Sequence, residues 1–184
     1  MRVISGSLRG RKLFAPKGQG LRPTSDQVKE TLFNMIGPQI VQASVLDLFA
    51  GTGNVGIEAV SRGAEQVVLV EKNPTYMRVL MRNLAACGIE STCRVYCGDA
   101  NKIVRVLHKE QRCFDLIFLD PPYRQTNLLT DMLRQIIELA LLAEGGLVIA
   151  EHAPTFGPPS TCGKRLTLTK QRRVGDTMLS FYSA

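Results

Sequence analysis

The chain has 184 residues and a net charge of +7, with 45% hydrophobic and 21% charged residues. This composition is typical of one folded domain and excludes a disordered chain, and no apolar run approaches the roughly 20 residues of a membrane-spanning helix. Five cysteines without a C-x-x-C pair, and only two histidines, lack the spacing of zinc ligands, so we predict no metal and expect inert thiols.

The N-terminal region is basic, and its sequence predicts a hairpin followed by a helix. Residues 2–14 surround GSLRG, which is typical of a turn, and they contain no long apolar run. We therefore expect no secretory signal and a cytoplasmic protein. In RPTSDQVKETLFNMIG, Thr24 and Gln27 fit a capping box at the start of the helix, and Gly37-Pro38 predicts its end.

After Ala43, short apolar runs alternate with helical stretches. The predicted strands are SVLDLF, QVVLVE, TCRVYC, FDLIFLD and GLVIAE, and the predicted helices lie at about 54–62, 74–87, 100–110 and 126–143. Such alternation predicts an α/β fold in which crossover helices connect parallel strands. Cys93 and Cys97 share the alternating face of TCRVYC, which predicts that this face is buried. Residues 165–184 predict an antiparallel hairpin around Val174-Gly175-Asp176 at one sheet edge.

Positive charge is concentrated in two places. Residues 1–25 contain six basic and no acidic side chains, and residues 164–173 contain five basic and no acidic ones, whereas residues 26–163 contain 12 basic and 15 acidic ones. Two such clusters together suit a polyanion, because each can neutralise several phosphates. Two solvated surface segments are the other interpretation, and charge alone does not decide between them.

The sequence VLDLFAGTGNVGIEA contains the first chemical motif. Gly51, Gly53 and Gly56 match G-x-G-x-x-G between a predicted strand and a predicted helix, and Glu71 ends the next strand. Glycines at these positions permit a tight turn and a close approach of the backbone to a cofactor, and the acid can hold ribose hydroxyls. The motif does not separate a nicotinamide dinucleotide from another adenosine-containing cofactor. Residues 51–53 are called the glycine loop below.

Two further acids belong to neighbouring predicted strands. Asp47 lies in the first strand, just before the glycine loop, where a carboxylate can take the ammonium end of a methionine moiety. Asp99 follows the third strand, within reach of an adenine amino group. Because cofactors of open α/β sheets lie at the carboxyl ends of the strands, we expect Asp47, Glu71 and Asp99 to face one crevice.

The sequence FDLIFLDPPYRQ ends the fourth predicted strand with Asp120, Pro121, Pro122 and Tyr123. The prolines cannot donate ladder hydrogen bonds, so they stop the strand. An aryl amine is a poor nucleophile because its lone pair is conjugated into the ring. The Asp120 carboxylate and the Pro121 carbonyl can accept hydrogen bonds from the two N–H groups of the amine, which localises that lone pair. A flipped base can stack on Tyr123. A plain strand end with one exposed acid is the structural alternative.

These motifs resemble class I S-adenosylmethionine-dependent methyltransferases that act on exocyclic amines. The sequences ISGSLRGRKL, LRPTSDQVKETLFNMI, VLDLFAGTGNVGIEA, VEKNP, DLIFLDPPY and GDTMLSFY together resemble the RsmD family over nearly the whole chain. The resemblance implies a Rossmann-like, mostly parallel seven-stranded sheet with helices on both faces, an antiparallel C-terminal hairpin, and a basic N-terminal hairpin and helix. It implies S-adenosylmethionine as cofactor and methylation of the N2 amine of one guanine in 16S ribosomal RNA, within a small ribosomal subunit or an assembly intermediate.

The resemblance also implies roles for individual residues. The target base is expected to be held by Asp120, Pro121, Pro122 and Tyr123. The cofactor is expected to be bound by Asp47, Phe49, Gly51, Thr52, Gly53, Glu71, Lys72, Asp99 and Ala100. The RNA is expected to be contacted by Arg9, Arg11, Lys12, Arg22, Thr24, Arg172 and Arg173. A phosphate contact and an ion pair at the helix start are equally compatible with Arg22.

We interpret the chain as a single methyltransferase domain, residues 1–184, in which 1–40 form a basic extension and 41–184 form the cofactor-binding and catalytic core. The sequence HAPTFGPPSTCGK replaces the helix expected after the fifth strand, and it forms either a loop over the substrate side or a shortened connection. Three alternatives stay open: a DNA adenine-N6 methyltransferase, a dinucleotide oxidoreductase and a non-catalytic nucleic-acid-binding protein. The chain lacks room for a DNA target-recognition insert, and the oxidoreductase leaves DPPY unused.

Overall fold

The computed structural model describes residues 1–15, 24–122, 126–163 and 165–184. The chain divides into two compact units, Met1–Ala100 and Asn101–Ala184, which are described in turn. Within the described ranges, no helix is long and apolar enough to cross a membrane. The division into an extension at 1–40 and a core at 41–184 stays a prediction.

The first unit is built on three parallel strands. These are β1 (Ser44–Asp47), β2 (Gln66–Glu71) and β3 (Cys93–Cys97), and the helices of this unit are α1 (Asp26–Ile36), α2 (Asn54–Ser61) and α3 (Pro74–Cys87). A short 3-10 helix, Gly37–Ile40, follows α1. The strand order is β3-β2-β1, and β2 pairs in parallel with each neighbour. The carboxyl ends of all three strands therefore lie at the same edge.

The buried strands of this unit and its edge strand differ in packing. Val45 and Leu46 of β1 are fully buried, as is the apolar interior of β2, which is typical of strands covered on both faces. The predicted buried face of β3 is wrong at Cys97, which is exposed, and Cys93 is only half-buried, because β3 lies at the sheet edge. Burial still raises the pKa of Cys93 to about 12, so this thiol is inert at neutral pH.

Helix α1 begins one residue later than its capping pattern predicts. Ser25 is the N-cap, and its hydroxyl oxygen accepts a hydrogen bond from Val28 N at 3.2 Å. The predicted Thr24–Gln27 capping box is therefore wrong by one position, because adjacent threonine and serine residues are both good caps. The predicted end is confirmed, since the helix is capped by Gly37 with a φ of 61°.

Residues 1–15, called the N-terminal segment below, form the predicted hairpin with a minimal ladder. Arg2 and Lys12 make an isolated antiparallel bridge, and Val3 N donates to Arg11 O at 2.9 Å. Bends and turns occupy residues 5–10. This amount of backbone pairing cannot hold a hairpin by itself in water, so the segment must depend on the helices against which it packs.

The second unit combines one parallel strand pair with an antiparallel ladder. Its helices are α4 (Ala100–Lys109), which begins at the last residue of the first unit, and α5 (Thr126–Glu138). Its strands are β4 (Phe114–Leu119), β5 (Leu142–His152), β6 (Thr161–Cys162), β7 (Leu166–Val174) and β8 (Thr177–Ser183). Their order is β4-β5-β8-β7-β6, and only the β4–β5 pairing is parallel among these described strands. The predicted C-terminal hairpin, β7 and β8, is confirmed.

The boundary between α5 and β5 differs most from its prediction. Helix α5 ends at Glu138 rather than near residue 143, and β5 begins at Leu142 rather than at Gly146. A turn separates them, in which Ala140 has a φ of 50°. The intervening apolar residues carry no glycine or proline that would mark this turn, so the helical pattern runs on past the true end.

No helix follows β5 within residues 153–163, as the sequence predicted. The short strand β6 pairs there with Leu166 and Thr167, so the described residues form eight strands rather than the predicted seven. Tyr182 donates its hydroxyl to Pro159 O at 3.1 Å, which ties the loop to β8. The predicted α/β class, with a mostly parallel sheet and antiparallel C-terminal strands, is confirmed.

Candidate active site

Three acids lie at one edge of the parallel strands of the first unit. Asp47 is the last residue of β1, Glu71 is the last residue of β2, and Asp99 follows β3 by two residues. Asp47 is 4% exposed and Glu71 is 8% exposed, while Asp99 is half-buried. Buried carboxylates need hydrogen-bond donors around them, and Phe49 N donates to Asp47 Oδ1 at 3.3 Å. The expected grouping of these acids is present, and their binding of a cofactor stays a prediction.

The Glu71 carboxylate shapes the glycine loop directly. Gly51 N donates to Glu71 Oε2 at 2.8 Å, and Asn73 N donates to Glu71 Oε1 at 2.6 Å. Glu71 thus joins the loop after β1 to the start of α3, whose N-cap is Asn73. Each carboxylate oxygen has two lone pairs, so Glu71 can hold the loop and still accept hydrogen bonds from a ligand.

Packing explains two glycines of the motif. Gly53 has a φ of 85° and is the N-cap of α2, and a Cβ there would lie 2.4 Å from Leu80 Cδ1 of α3. A Cβ at Gly56 would lie 2.3 Å from Leu69 Cδ2 of β2. Gly53 therefore permits the left-handed turn, and Gly56 permits close packing of helix against strand, which is the role expected of the third glycine.

The other predicted cofactor residues differ in exposure. Thr52 is 1% exposed and Ala100 is 5% exposed, Phe49 is half-buried, and Lys72 is exposed. The carbonyl of Thr52 accepts a hydrogen bond from Asn83 Nδ2 of α3 at 2.9 Å. The glycine loop is therefore held from both sides, by Glu71 and by Asn83, before any ligand binds.

In the second unit, Asp120 and the two prolines directly follow β4. The strand ends at Leu119, as the prolines predict, and Asp120 is half-buried, Pro121 buried and Pro122 exposed. Leu119 is paired in parallel with Ala150 of β5, so the carboxyl ends of both strands lie at this edge. The predicted stacking residue Tyr123 lies outside the described residues.

The predicted RNA-contacting residues are exposed wherever they are described, except Thr24. Arg9, Arg11 and Lys12 of the N-terminal segment are exposed and form no ion pair within the described part of the chain. Arg172 and Arg173 are exposed on β7. Thr24 is 8% exposed, and Arg22 lies outside the described residues.

Comparisons with known proteins identify the family of this chain. A family model described as "Conserved hypothetical protein 95" matches residues 1–183. Ribosomal RNA small subunit methyltransferase D of Escherichia coli (strain K12) is 35% identical over 182 residues, which cover 99% of this chain and 89% of that protein. YlbH of Bacillus subtilis is 41% identical over 182 residues, which cover 99% of this chain and 98% of that protein. The chain belongs to the RsmD family.

Solved structures agree with this membership. The yhhF protein of Escherichia coli superimposes with a TM-score of 0.85 at 34% identity, covering 100% of this chain and 97% of that one. A protein of 16% identity, solved in complex with SAH, gives a TM-score of 0.69 and covers 86% of this chain and 48% of its own. At that identity the likeness shows the fold alone. The class I methyltransferase fold that the sequence predicted is confirmed.

Asn54 is a candidate site residue of this RsmD-family chain that the sequence prediction missed. It is the first residue of α2, directly after the glycine loop, and its Nδ2 donates to Thr24 O at 2.8 Å. Its Oδ1 is buried and has no hydrogen-bond partner among the described residues. Such unpaired buried acceptors are rare, and a ligand donor would satisfy this one. The signal in the sequence was a polar residue at the first helical position after Gly-Thr-Gly.

A buried ion network, also missed, holds the N-terminal segment on α2. Glu58 is fully buried and accepts hydrogen bonds from Ile4 N at 2.8 Å, Ser5 N at 3.0 Å, Lys29 Nζ at 3.2 Å and Arg62 Nε at 2.8 Å. Burial lowers the pKa of Lys29 from its usual 10.5, although Glu58 opposes the shift. One carboxylate of α2 therefore pairs with two cations and satisfies two backbone donors.

Asn83 of α3 completes this attachment and joins it to the glycine loop. Its Oδ1 accepts from Phe14 N at 2.8 Å, and its Nδ2 donates to Phe14 O at 3.1 Å as well as to Thr52 O. Asn83 is fully buried. No local pattern in the sequence indicates these contacts, because Phe14 and Asn83 are 69 residues apart.

His152, at the end of β5, is the centre of a polar chain in the second unit. Its Nε2 lies 2.7 Å from Ser180 Oγ, its Nδ1 lies 2.8 Å from Ala153 O, and Gln171 Nε2 donates to Ser180 Oγ at 2.8 Å. The carbonyl fixes the tautomer, since Nδ1 must donate to it and Nε2 then accepts from Ser180. Burial lowers the pKa of His152 from its usual 6.5. These hydrogen bonds link the exposed strand β7 to the loop after β5.

Proposed function

We propose that this RsmD-family protein methylates the exocyclic N2 amine of one guanine in 16S ribosomal RNA, with S-adenosylmethionine as the methyl donor. The observation that carries the proposal is the set of three acids, Asp47, Glu71 and Asp99, at one edge of three parallel strands around a glycine loop. The names of relatives support the substrate, since the Escherichia coli and Haemophilus influenzae proteins are called Ribosomal RNA small subunit methyltransferase D.

The acceptors of the first unit suit the donors of S-adenosylmethionine. The cofactor carries an ammonium group, ribose hydroxyls and an adenine amino group, which we assign to Asp47, Glu71 and Asp99 respectively. Asn54 Oδ1, buried without a donor among the described residues, offers a further acceptor beside the glycine loop. When bound, the cofactor supplies an electrophilic methyl group on a positively charged sulfonium.

Asp120 and Pro121 are proposed to prepare the guanine amine. The Asp120 carboxylate and the Pro121 carbonyl accept hydrogen bonds from the two N–H groups of the amine, which draws the lone pair out of conjugation with the ring. Proline fixes its own φ, so successive prolines after β4 hold this carbonyl in one direction. Positioning and electrostatic stabilisation then carry most of the rate enhancement, and Tyr123 is proposed to stack on the flipped base.

The basic side chains of both units are proposed to contact the phosphates of the RNA substrate. Arg9, Arg11 and Lys12 are exposed and form no ion pair within the described ranges, and Arg172 and Arg173 are exposed on β7. Each such cation can neutralise a phosphate. A small ribosomal subunit, or an intermediate in its assembly, is the proposed context of the RNA.

Identification of the methylated nucleoside tests the proposal. The protein is incubated with isotopically labelled S-adenosylmethionine and either a 16S RNA transcript or small subunits, and the RNA is digested to nucleosides. We expect label in N2-methylguanosine. Label in N6-methyladenosine would contradict the assignment of the base, and no transfer to either substrate would contradict the activity.

The variant Asp120→Ala tests the role of the carboxylate. Because Asp120 is assigned to the amine, we expect turnover to fall by about 10²- to 10⁴-fold while the dissociation constant of S-adenosylmethionine is unchanged. Asp131→Ala is a matched control, since Asp131 is a half-exposed acid of α5, and it should keep near-parent turnover. An Asp120→Ala enzyme as fast as the control would remove the carboxylate from the chemistry.

A further inference from the structure

The first unit contains two arginine–phenylalanine stacks in opposite surroundings. The guanidinium carbon of Arg62 lies 4.8 Å from the ring centroid of Phe33, which is 2% exposed, and Arg62 forms an ion pair with Glu58. The guanidinium carbon of Arg82 lies 3.5 Å from the ring centroid of Phe14, which is 38% exposed. Arg82 is itself exposed and pairs with no acid among the described residues. The first stack is structural, whereas the second presents its charge to solvent.

The backbone that carries the exposed ring is held at both of its polar groups. Both backbone polar groups of Phe14 are bound by the Asn83 side chain, at 2.8 Å for its N and 3.1 Å for its O. Asn83 is fully buried and follows Arg82 in α3. A ligand that bound Phe14 and Arg82 would therefore lose little conformational entropy of the protein, which is the usual benefit of a preorganised surface.

A further cation lies near the end of the same helix, and another follows it in the N-terminal segment. Burial raises the pKa of Cys87, and Arg11 acts in the opposite direction through its charge, which places Arg11 near the last turn of α3. Glu90 lies near Cys87 too and raises the same pKa. Lys12 follows Arg11, is exposed and forms no ion pair within the described residues. Positive charge therefore predominates between the end of the N-terminal segment and α3.

We propose that Arg11, Lys12, Phe14 and Arg82, called the α3 surface below, bind a single-stranded part of the RNA substrate. The inference rests on the proposed function for the identity of the polyanion. A guanidinium stacked on a ring keeps its N–H edges for phosphate oxygens, and its outer face accepts a stacked base. Single-stranded RNA offers both groups together, whereas an acidic peptide offers only the charge.

Three substitutions separate charge from stacking. Arg82→Gln removes the charge and keeps a planar polar end, Arg82→Lys keeps the charge without the planar group, and Phe14→Leu removes the ring and keeps an apolar side chain. Arg105→Gln is the matched control, because Arg105 is an exposed arginine of α4 without an ion pair among the described residues. Thermal midpoints and S-adenosylmethionine affinity are measured for each variant, and both should equal those of the parent.

RNA affinity is then measured against salt concentration, with a 16S RNA transcript and with poly(U) as probes. For Arg82→Gln we expect a log–log slope smaller by about 0.7 to 0.9, which is one phosphate contact, and roughly three- to tenfold weaker binding. Arg82→Lys should restore the slope, and Phe14→Leu should weaken binding at an unchanged slope. Arg105→Gln should match the parent. If the Arg82→Gln slope equals the Arg105→Gln slope, the proposed RNA binding by the α3 surface is wrong.

The methylation assay separates this proposal from the proposed function. Slopes that differ as expected, in a protein that transfers no methyl group to RNA, would support the α3 surface and contradict only the assigned activity. Normal methylation by the parent, with Arg82→Gln and Phe14→Leu both binding RNA as the parent does, would overturn only the α3 surface.

Discussion

The N-terminal segment keeps its shape through the side chains of two helices, whereas the C-terminal hairpin keeps its shape through its own backbone. The segment has one bridge between Arg2 and Lys12, and Glu58 and Asn83 hold the rest of it. The hairpin has a ladder from Thr167↔Ser183 to Val174↔Thr177, with one irregularity. The segment carries four basic side chains and the hairpin carries three, so both regions are basic although they are held in different ways.

This difference determines where single substitutions should act. In a ladder each residue contributes a small share, so the loss of one side chain leaves most hydrogen bonds in place. In the N-terminal segment a few buried polar groups, each with several partners, act beside the buried side chains of Val3 and Leu13. We therefore expect large effects from substitutions at the attachment points of the segment and small effects in the hairpin.

The largest effect is expected for Glu58→Ala. Lys29 and Glu58 are both fully buried, so this change leaves a buried cation without its carboxylate and two backbone donors without their acceptor. Breaking a buried ion pair in this way costs about 3–5 kcal/mol. The free energy of unfolding, measured by urea denaturation, should fall by that amount.

The ion pair between Asp131 and Arg134 is the control for Glu58. Its side chains are 51% and 59% exposed, and surface pairs contribute roughly 0–1 kcal/mol. Asp131→Ala should therefore change the free energy of unfolding by less than about 1 kcal/mol. If Glu58→Ala were equally mild, the side-chain attachment of the N-terminal segment would not be a major source of stability.

Local sequence patterns predicted the elements of the fold but not this attachment. Runs such as QVVLVE contain their own evidence for a buried strand, and β2 occupies the predicted residues Gln66–Glu71. The bonds of Glu58 to Ile4 and Ser5 join residues more than 50 positions apart. A glutamate on a helix is usually solvated, so nothing near Glu58 in the sequence distinguishes it from an exposed acid.

The next effect, in order of size, compares Gly6→Ala with Gly10→Ala. Both glycines have a positive φ, 83° and 81°, so the backbone strain of alanine is the same at each. A Cβ at Gly6 would lie 1.7 Å from the backbone O of Ser61, whereas a Cβ at Gly10 would meet nothing within 4 Å. Gly6→Ala should therefore cost about 1–3 kcal/mol more, measured as the difference between the two free energies of unfolding.

Protection of the segment provides an independent measure of the same pair. The amide of Ser7 donates to Ser61 O at 2.8 Å, so displacement by Gly6→Ala should expose this amide to hydrogen exchange. Gly10→Ala should leave its protection unchanged. Equal protection in both variants would mean that the segment does not pack on α2 as described.

In the C-terminal region, Tyr182→Phe should have a smaller effect. The ring of Tyr182 is fully buried, and its hydroxyl donates to Pro159 O at 3.1 Å. Phenylalanine keeps the ring and removes one hydrogen bond, which costs about 0.5–1.5 kcal/mol. The free energy of unfolding measures the loss, and Tyr76→Phe is the control, because Tyr76 of α3 is only half-buried. A loss above that of Gly6→Ala would contradict the expected tolerance of the hairpin.

Within the candidate site, the sequence located groups whose place follows from strand ends and missed groups whose place follows from packing. Asp47, Glu71 and Asp99 could be assigned because parallel strands bring their carboxyl ends to one edge. The hydrogen bond of Glu71 to Gly51 N could not be assigned, because it depends on the path of the loop. The same holds for Asn54, whose partner Thr24 comes from a separate helix start.

The smallest effect concerns the pH dependence of stability that His152 contributes. Burial lowers the pKa of His152 in the folded protein below its usual 6.5, and the backbone hydrogen bond to Ala153 opposes the shift. Between the two pKa values the unfolded chain binds a proton that the folded protein does not. The stabilising contribution is therefore complete above about pH 6.5 and is lost as the pH falls through this window, with a slope of at most about 1.4 kcal/mol per pH unit.

Comparison with His152→Asn isolates this contribution from that of the carboxylates. Asparagine can donate to Ala153 O and accept from Ser180, and it does not titrate. The free energy of unfolding of both proteins is measured by urea denaturation between pH 5 and pH 8. The difference between the two proteins should be constant above about pH 6.5, and below it the variant should become relatively more stable. The neutral ring accepts from Ser180, and a charged ring would have to donate to an oxygen that already accepts from Gln171. If the difference in free energy of unfolding stays constant over the whole pH range, His152 takes up its proton equally well in the folded and the unfolded chain. In that case the charged ring can donate to Ser180, and the direction of the hydrogen bond between them is reversed.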